Sequence, residues 1–553
     1  MPTVNILKDE LYRRLGVSFT DSEFEELCFE YGLELDEITS EKQMLQKEQG
    51  SNVGADASDD IIFKVEVAAN RYDLLCVEGL SRALAIYLGK ASAPTFKRIV
   101  PAKPRKLIVR SPAEVVRPFC VAAILRDITF NKDRLKSFIE LQDKLHGTLC
   151  RKRSLVSMGT HDLDKMTAGD VIYTAKPPGS IQFVPLKESK SFSAEELMAH
   201  YSGESHLKQY LPILEGKSVY PVVEDSEGVM SWPPIINSER TKITVDTRNV
   251  FIEITATDCN KAETVLDVLC TMFSEYCKDK FTSEVVEVVY ETTHPGNPGN
   301  TVTYPLLKER VDEADVDYIC TLVGVKMTAQ EICKLLERIA YSSKPSADGK
   351  KVLVTIPPTR PDVLHACDIA EDVAVAYGFN KVPKKLPSSF VIAKQFPLNQ
   401  FTDLVRQMVA MAGFTEALTF SLCSRDDIGK NMRKSIEKLP AVHVSNPKTL
   451  EFQVVRTSLI PGLLKCIASN RNMPLPLRIF EISDVVFKTD QKDVGATNRR
   501  YLAAVFYGKT TGFEQIHGLL DRIMQILDIP WAGSDAKSKK KAPYSVKNGD
   551  GTL

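Results

Sequence analysis

The chain has 553 residues, a length that predicts three or four domains, each large enough for its own hydrophobic core. Its formal net charge of −1 excludes a whole-chain polycation, so any contact with nucleic acid must come from local patches or from a partner. No apolar run reaches the ~18 residues of a membrane span, and the N-terminus lacks a signal-peptide core. The 12 cysteines are scattered without a C-x-x-C pair, which predicts reduced thiols in the cytoplasm.

The first region runs to about residue 93 and contains two predicted helices. Thr20 and Glu23 form a capping box and Gly32 supplies a C-terminal stop. Between them four residues recur at helical spacing: Phe24, Leu27, Cys28 and Tyr31. A second helix is predicted after Asp73, with Leu75, Gly79, Leu80 and Leu84 in phase. Residues 41–60 are polar and predict an exposed loop, and the proline- and lysine-rich segment 93–106 predicts a linker.

The second region, 107–290, is predicted to mix strands and helices. A strand opens at Leu107 and a helix follows from Ser137 to Leu149. Later strands are indicated by four residues: Thr244, Asp246, Phe251 and Ile252. The GNPGN run at 296–300 is expected to close this region.

The third region, 301–382, reads strand, helix, strand, helix. Thr328 and Glu331 form a capping box before an apolar stripe, and Val352, Val354 and Ile356 alternate as a strand. Two short helices around a small sheet predict a compact α+β module of the winged-helix type.

The last region, from about residue 385, is predicted to be an antiparallel sheet flanked by helices. Its strand runs are ALTFSL, QVVRTSL, LRIFEI and YLAAVFYG, and its helices are Phe401–Met411 and Gly518–Leu527. The end of the chain, from residue 536, is polar and basic.

Four carboxylates gather around the start of the helix predicted to end at Gly378. Asp368, Glu371 and Asp372 lie at i, i+3 and i+4, so they share one helix face. Asp362 comes from the turn just before that helix. Four such hard oxygen donors could hold a magnesium ion. The alternative is that Asp368 and Glu371 form a capping box, because acids favour a helix N-terminus anyway.

Other motifs give weaker signals. Two segments that end in Gly-Lys-Ser and Gly-Lys-Thr lack the leading glycine of a phosphate-binding loop, and no serine-nucleophile or zinc-protease motif is present. His161 is either a general base or, as we prefer, a hydrogen-bonded turn residue. Arg151, Lys152 and Arg153 are candidates for nucleic-acid phosphate contact, and the alternative is that they complement the dipole of a helix C-terminus.

Several segments together resemble the β subunits of phenylalanyl-tRNA synthetases, most closely those of the archaeal and eukaryotic cytosolic type. The segments that carry the resemblance are MPTVNILKDELYRRLG, FEELCFEYGLELDEITSEK, NRYDLLCVEGLSRALAIYLG, RKRSLVSMGTHDLD, PPIINSERTKITVDTRNVFIEITATD, SNPKTLEFQVVRTSLIPGLL and LRIFEISDVV. The resemblance implies a B1-like domain at 1–93, a B3/B4 editing domain at 107–290, a B5 domain at 301–382 and a class II synthetase-like core at 385–553. Family members continue beyond this point, so the last domain is expected to be incomplete.

The resemblance also assigns sites. In that family magnesium is bound by carboxylates spaced 0, +6, +9 and +10, which Asp362, Asp368, Glu371 and Asp372 match. The B3/B4 domain of the family hydrolyses tyrosine wrongly esterified to phenylalanine tRNA. Four residues align with its pocket: Glu253, Thr255, Ser231 and Asn237. Glu253 is expected to accept the phenol hydrogen bond, with the other three orienting the ester and a water. The alternative is that Glu253 and Thr255 form the outer face of an alternating strand.

The synthetase-like core shows no sign of its own nucleotide site. No glycine-rich strand ending in arginine follows LRIFEISDVV, so ATP would lack a cationic clamp. Arg456 and Arg478 are then structural, pairing with Glu451 or Glu481. The resemblance implies a catalytically inactive core and synthesis on an α subunit, in an (αβ)2 heterotetramer that binds tRNA(Phe) and uses ATP and Mg2+. The competing hypothesis is a non-enzymatic scaffold subunit with an inactive editing pocket.

Overall fold

The structure is a computed structural model that describes residues 2–44, 58–292, 299–491, 493–532 and 544–545. The chain divides into two units, Met1–Lys385 and Leu386–Leu553, and each mixes helices with sheets. Within the described ranges no helix is long and apolar enough to cross a membrane. Three predicted features lie largely outside these ranges: the loop at 41–60, the GNPGN run at 296–300 and the basic end from residue 536.

The first part of the larger unit is a three-stranded sheet covered by helices. Its strands are β1 Thr3–Leu7, β2 Glu34–Ser40 and β3 Ile61–Glu66, in the order β1-β3-β2, and its helices are α1 Lys8–Leu15, α2 Asp21–Tyr31 and α3 Val77–Tyr87. The predicted capping box of Thr20 and Glu23 is confirmed, and Gly32 ends α2 at a φ of 85°. Gly79 is required by packing, because a Cβ there would lie 1.7 Å from the carbonyl oxygen of Asp73.

The centre of this unit is an eleven-stranded sheet with four helices. Its main order is β13-β12-β11-β8-β5-β15-β6-β14-β7, and β4 and β16 both pair with β15. The strands are β4 Lys97–Ile99, β5 Arg105–Val109, β6 Phe119–Leu125, β7 Val156–Asp162, β8 Val171–Lys176, β11 Tyr220–Asp225, β12 Gly228–Trp232, β13 Ile236–Asn237, β14 Val250–Ala256, β15 Thr282–Tyr290 and β16 Thr301–Tyr304, with β9 Gln182–Phe183 and β10 Phe192–Ser193 as a separate pair. The helices are α4 Lys132–Gly147, α5 Ala194–Tyr201, α6 Ser205–Lys208 and α7 Cys259–Phe273.

Three predictions for this region are wrong in detail. The linker 93–106 contains β4, whose exposed residues give an edge strand the polar composition of a loop. The helix predicted from Ser137 begins at Lys132, because Asn131 caps a first turn without apolar residues. Thr244 and Asp246 lie in a turn and not in a strand, and the hydroxyl of Thr247 accepts the backbone N–H of Thr244 over 2.9 Å.

The third part has one more helix and one more strand than predicted. Its strands are β17 Arg310–Asp315, β18 Ser342–Pro345 and β19 Lys351–Ile356, in the order β17-β19-β18, and its helices are α8 Val316–Val323, α9 Ala329–Glu337 and α10 Ala366–Tyr377. The capping box before α9 and the buried alternation along β19 are confirmed. Helix α8 follows β17 without any intervening break, so no loop signal marks it. Residues 301–304, assigned to this region, form β16 and pair with the central sheet.

The smaller unit is built on one long antiparallel strand pair. Its strands are β20 Thr415–Glu416, β21 Leu422–Cys423, β22 Val454–Val455, β23 Leu477–Lys488 and β24 Ala496–Tyr507, and its helices are α11 Pro397–Met411, α12 Arg425–Ile428, α13 Ile460–Ser469 and α14 Phe513–Ile526. Strands β23 and β24 pair over twelve residues, but β20 joins β23 in parallel, against the antiparallel prediction. The runs ALTFSL and QVVRTSL contribute only to the two-residue strands β21 and β22, so the strands predicted there are largely wrong.

Candidate functional site

A cavity of about 410 Å3 lies between the central sheet and the helices around it. This volume is within the usual range of ligand pockets. Strands β7, β12, β13 and β14 and helices α4 and α5 contribute to its wall. Its polar lining includes His146, Arg153, Tyr201, Trp232, Asn237 and Glu253.

Glu253 reaches this cavity from the middle of β14, which is paired on both sides. Its register partners are Ala122 on β6 and Gly159 on β7. A Cβ at Gly159 would lie 2.2 Å from Oε1 of Glu253, so glycine is the residue that leaves space for this carboxylate. Glu253 is 1% exposed and Thr255 is fully buried, so the alternative in which they form an outer strand face is wrong.

The two oxygens of Glu253 have different surroundings. Oε1 accepts a hydrogen bond of 2.6 Å from the hydroxyl of Ser231. Oε2 is buried and has no hydrogen-bond partner among the described residues. Asn237 is the register partner of Ser231 across β12 and β13, and it lines the same cavity. The structure thus brings together three of the four predicted pocket residues and leaves one carboxylate oxygen without a partner among the described residues.

Thr255 lies two residues further along β14 and does not line the cavity. Its hydroxyl accepts from Nε of Arg117 over 3.3 Å, and its carbonyl accepts from Nη2 of Arg117 over 2.8 Å. These contacts favour a role in holding β14 in place.

Two buried histidines lie in this part of the central sheet and its helices. His161 lies fully buried in β7 and not in the predicted turn, but its Nδ1 is 2.8 Å from the hydroxyl of Thr241, as expected for a hydrogen-bonded residue. Its Nε2 lies 3.7 Å from Oε1 of Glu253. His146 lines the cavity and was missed in the sequence. Its Nε2 accepts the backbone N–H of Met158 over 3.1 Å, and burial lowers the pKa of His146 well below its usual value. The signal available in the sequence was the helical stripe that ends at Leu145, next to it.

The three cations at 151–153 do not act as one patch. All three have positive φ angles, so the chain turns sharply here. Arg151 and Lys152 are exposed, but Arg153 points into the cavity wall. Its Nη1 donates to the carbonyl of Ile235 over 2.9 Å, and its guanidinium lies 4.2 Å from the ring centre of Tyr210. Arg153 therefore secures the segment before Asn237.

The carboxylate cluster near α10 is organised around an arginine. Nη2 of Arg360 donates to Oδ2 of Asp372 over 2.8 Å, and Nε of Arg360 donates to Oδ1 of Asp362 over 2.9 Å. The hydroxyl of Tyr341 also donates to Asp372. All of these side chains are almost fully buried, so Arg360 supplies the positive charge that their burial requires.

The other two carboxylates point elsewhere. Oδ2 of Asp368 accepts the backbone N–H groups of Leu364 and His365 over 2.8 and 2.9 Å, and Glu371 is exposed. Burial raises the pKa of Asp368, but these two bonds more than offset it and hold that pKa below its usual value. The capping box is thus His365 with Asp368, one turn earlier than predicted. All four carboxylates lie in described segments, and no three of them have oxygens within 4.8 Å of one another. As arranged, they do not fit one magnesium ion.

In the smaller unit Arg456 has the structural role expected of it. Its Nη1 donates to Oε1 of Glu481 over 2.7 Å, and Glu481 is fully buried. Glu451, the other predicted partner, pairs with Lys465 instead. Nε of Arg478 is buried without a hydrogen-bond partner among the described residues.

Four family models match this chain. They are the phenylalanyl-tRNA synthetase β-chain B1 domain at 1–90, the B3/4 domain at 131–278, the tRNA synthetase B5 domain at 313–379 and the phenylalanyl-tRNA synthetase β-chain CLM domain at 382–547.

Whole proteins match as well. The phenylalanine–tRNA ligase β subunit of Homo sapiens is 53% identical over 100% of this chain and 92% of its own length. The protein named phenylalanine–tRNA ligase β subunit, cytoplasmic, of Arabidopsis thaliana is 45% identical over 96% of this chain and 88% of its own. A crystal structure of an N-terminal fragment of the β subunit from Pyrococcus horikoshii is 30% identical, covers 68% of this chain and 99% of its own, and has a TM-score of 0.59.

Proposed function

The chain belongs to the family of phenylalanine–tRNA ligase β subunits, and on this premise we propose that its cavity hydrolyses Tyr-tRNA(Phe) while an α subunit attaches phenylalanine. The observation that carries this proposal is the free Oε2 of Glu253, a buried acceptor in a cavity of ligand size. Phenylalanine and tyrosine differ by one hydroxyl, and an apolar pocket rejects an added hydroxyl by only about 10²-fold. An editing pocket that requires the hydroxyl supplies the missing discrimination.

Glu253 supplies the difference in binding free energy between tyrosine and phenylalanine. Bound tyrosine donates its phenol O–H to Oε2 and gives this oxygen its missing partner. Bound phenylalanine leaves the same oxygen dry and unpaired, which costs about 1–3 kcal/mol. Ser231 fixes the orientation of the carboxylate through Oε1. Asn237 supplies an amide on the wall where the ester and the attacking water are expected, and no protein nucleophile is needed.

Synthesis of Phe-tRNA(Phe) takes place on the α subunit in this proposal, in a reaction that uses ATP. The ion pair of Arg456 with buried Glu481 removes that arginine from any nucleotide. No glycine-rich strand ending in arginine follows β23 in the sequence to replace it. The core of the smaller unit then serves assembly and is catalytically inactive.

Helix α11 supports a docking role for that unit. Leu398, Phe401 and Leu404 lie along one side of it and remain 53%, 46% and 62% exposed. Exposed apolar stripes of this kind mark protein contacts. We assign this stripe to the α subunit, in a cytoplasmic (αβ)2 heterotetramer that binds tRNA(Phe).

The magnesium site remains a proposal that requires a rearrangement. Arg360 neutralises Asp362 and Asp372, and Asp368 caps its own helix. The four carboxylates can share an ion only after Arg360 releases at least one of them.

The test of editing is deacylation of Tyr-tRNA(Phe) by this chain with its α subunit. We expect Glu253→Ala to slow hydrolysis by about 10-fold or more, the equivalent of one buried hydrogen bond. Glu284→Ala is the matched control, because Glu284 lies on β15 outside the cavity, where its carboxylate pairs with Arg126. If the unaltered assembly releases no tyrosine, the alternative of a scaffold with an inactive pocket is correct.

A further inference from the structure

Three side chains of metal-binding types, two glutamates and one histidine, meet at the mouth of the cavity. One ligand atom each from Glu188, His200 and Glu204 lie within 4.8 Å of one another. Nε2 of His200 is 3.4 Å from Oε1 of Glu188. In the part of the chain that the structure describes, no other group of three or more His, Cys, Asp or Glu side chains has its ligand atoms this close together. The mechanism proposed above uses none of them.

The backbone positions these residues from two separate elements. His200 lies in the last turn of α5, and the N–H of Glu204 donates to the carbonyl of Tyr201, which turns the chain back toward the helix. Glu188 comes from a loop whose Leu186 N–H donates to the carbonyl of Asn237 over 2.9 Å. An ion held by all three would therefore connect α5 to the pocket segment that carries Asn237.

The buried hydroxyl of Tyr201 indicates a ligand next to the group of three. Tyr201 is 2% exposed, lines the cavity beside Glu188 and Glu204, and its hydroxyl has no hydrogen-bond partner among the described residues. The ring of Tyr201 lies 5.2 Å from the ring of His200, so Tyr201 packs directly against the group of three. A buried polar group without a partner indicates an ordered water or ion that completes the site.

We propose that Glu188, His200 and Glu204 bind a divalent cation of the zinc class, with a water in the fourth position bonded to the hydroxyl of Tyr201. One imidazole and two carboxylates with an open position form a ligand set that zinc accepts in proteins. Magnesium and calcium prefer oxygen ligands alone, so the histidine selects against them. The ion fastens the mouth of the cavity, and its binding does not depend on whether the cavity edits.

The experiment is calorimetric titration of the metal-free full chain with ZnCl2. We expect one equivalent to bind, and expect His200→Ala and Glu204→Gln to weaken it by about 100-fold or more, since even outer partners of a metal site are worth about 10- to 100-fold. His206→Ala is the matched control, because His206 lines the same cavity outside the group of three. Thermal unfolding without metal shows whether each variant is folded.

Cobalt replacement separates this site from the 12 cysteines of the chain. Co2+ bound here should show weak visible bands without the thiolate charge-transfer band that cysteine ligands give. A thiolate band, no stoichiometric binding of zinc, unchanged binding in His200→Ala, or an equal loss in His206→Ala would each overturn the assignment.

Discussion

The hydroxyl of Ser231 donates a hydrogen bond of 2.6 Å to Oε1 of Glu253, and both residues are 1% exposed. This bond joins β12 to β14, strands that are far apart in the order of the central sheet. It fixes one carboxylate oxygen and leaves Oε2 without a hydrogen-bond partner among the described residues. The proposed selectivity for tyrosine depends on that arrangement.

Gly159→Ala should impair editing although it replaces none of the proposed ligand-binding residues. The new Cβ would lie 2.2 Å from Oε1 of Glu253, so the carboxylate must move away from Ser231. We expect hydrolysis of Tyr-tRNA(Phe) to fall by about 10-fold or more, with a loss of stability of about 1–3 kcal/mol from overpacking. Deacylation and urea unfolding measure the two effects. Gly169→Ala is the control, because nothing lies within 4 Å of a Cβ there. Full activity of Gly159→Ala would show that the carboxylate position is unimportant.

His146 should make the chain less stable in mild acid. Burial holds the pKa of folded His146 well below 6.5, so the folded protein cannot take up the proton that the unfolded chain binds. Stability from this residue is full above the unfolded pKa and falls as the pH drops through about 6.5, by up to about 1.4 kcal/mol per pH unit. His146→Gln can still accept from Met158 but cannot titrate, so its urea midpoint should change less between pH 7 and pH 5. Equal pH dependence of the two proteins, with exposed His206→Gln as control, would contradict this explanation.

Arg360→Met should test whether this arginine competes with magnesium. The substitution leaves Asp362 and Asp372 buried without their cation, which costs about 3–5 kcal/mol. We expect millimolar Mg2+ to restore part of that stability in urea unfolding, and to bind the variant more tightly than the unaltered chain in calorimetry. Lys351→Met removes an exposed ion pair with Glu313 and should change stability by at most about 1 kcal/mol. If the Arg360→Met protein is destabilised and Mg2+ changes neither its stability nor its calorimetric signal, the magnesium proposal is wrong.

Arg151 and Lys152 should contribute to tRNA affinity through charge alone. Both are exposed, so replacing them together by alanine should reduce the slope of log affinity against log salt by roughly one to two. Arg153→Ala should leave that slope almost unchanged but impair editing, because Arg153 holds the carbonyl of Ile235. Filter binding across a salt series measures the slopes. A flatter slope for Arg153→Ala than for the double variant would reverse the assignment.

Local signals in the sequence predicted much of this fold. The Thr20 and Thr328 capping boxes and the alternation along β19 specify their elements through contacts a few residues apart, and each is confirmed. Strand β4 and helix α8 were missed, because an edge strand can be polar and a helix can follow a strand without a loop.

The contacts of the candidate site join residues that are far apart in the sequence, so local patterns do not predict them. The alignment of Glu253, Ser231 and Asn237 rested on resemblance, and their proximity depends on strand order in an eleven-stranded sheet. Nothing local in the sequence indicates that Arg360 pairs with both Asp362 and Asp372, or that Arg153 turns inward while its two neighbours stay exposed. These pairings depend on burial, because a buried charge without a partner costs free energy.

The ratio of Tyr-tRNA(Phe) to Phe-tRNA(Phe) hydrolysis by the assembled protein tests the role of Glu253 most directly. Glu253→Gln keeps the size of the side chain, and with its amide oxygen accepting from Ser231 it places an N–H donor where Oε2 stood. We predict that the unaltered protein prefers the tyrosyl ester by about 10-fold or more and that the ratio falls toward one in the variant. An unchanged ratio, with both esters still hydrolysed, would contradict the claim that this carboxylate recognises the phenol.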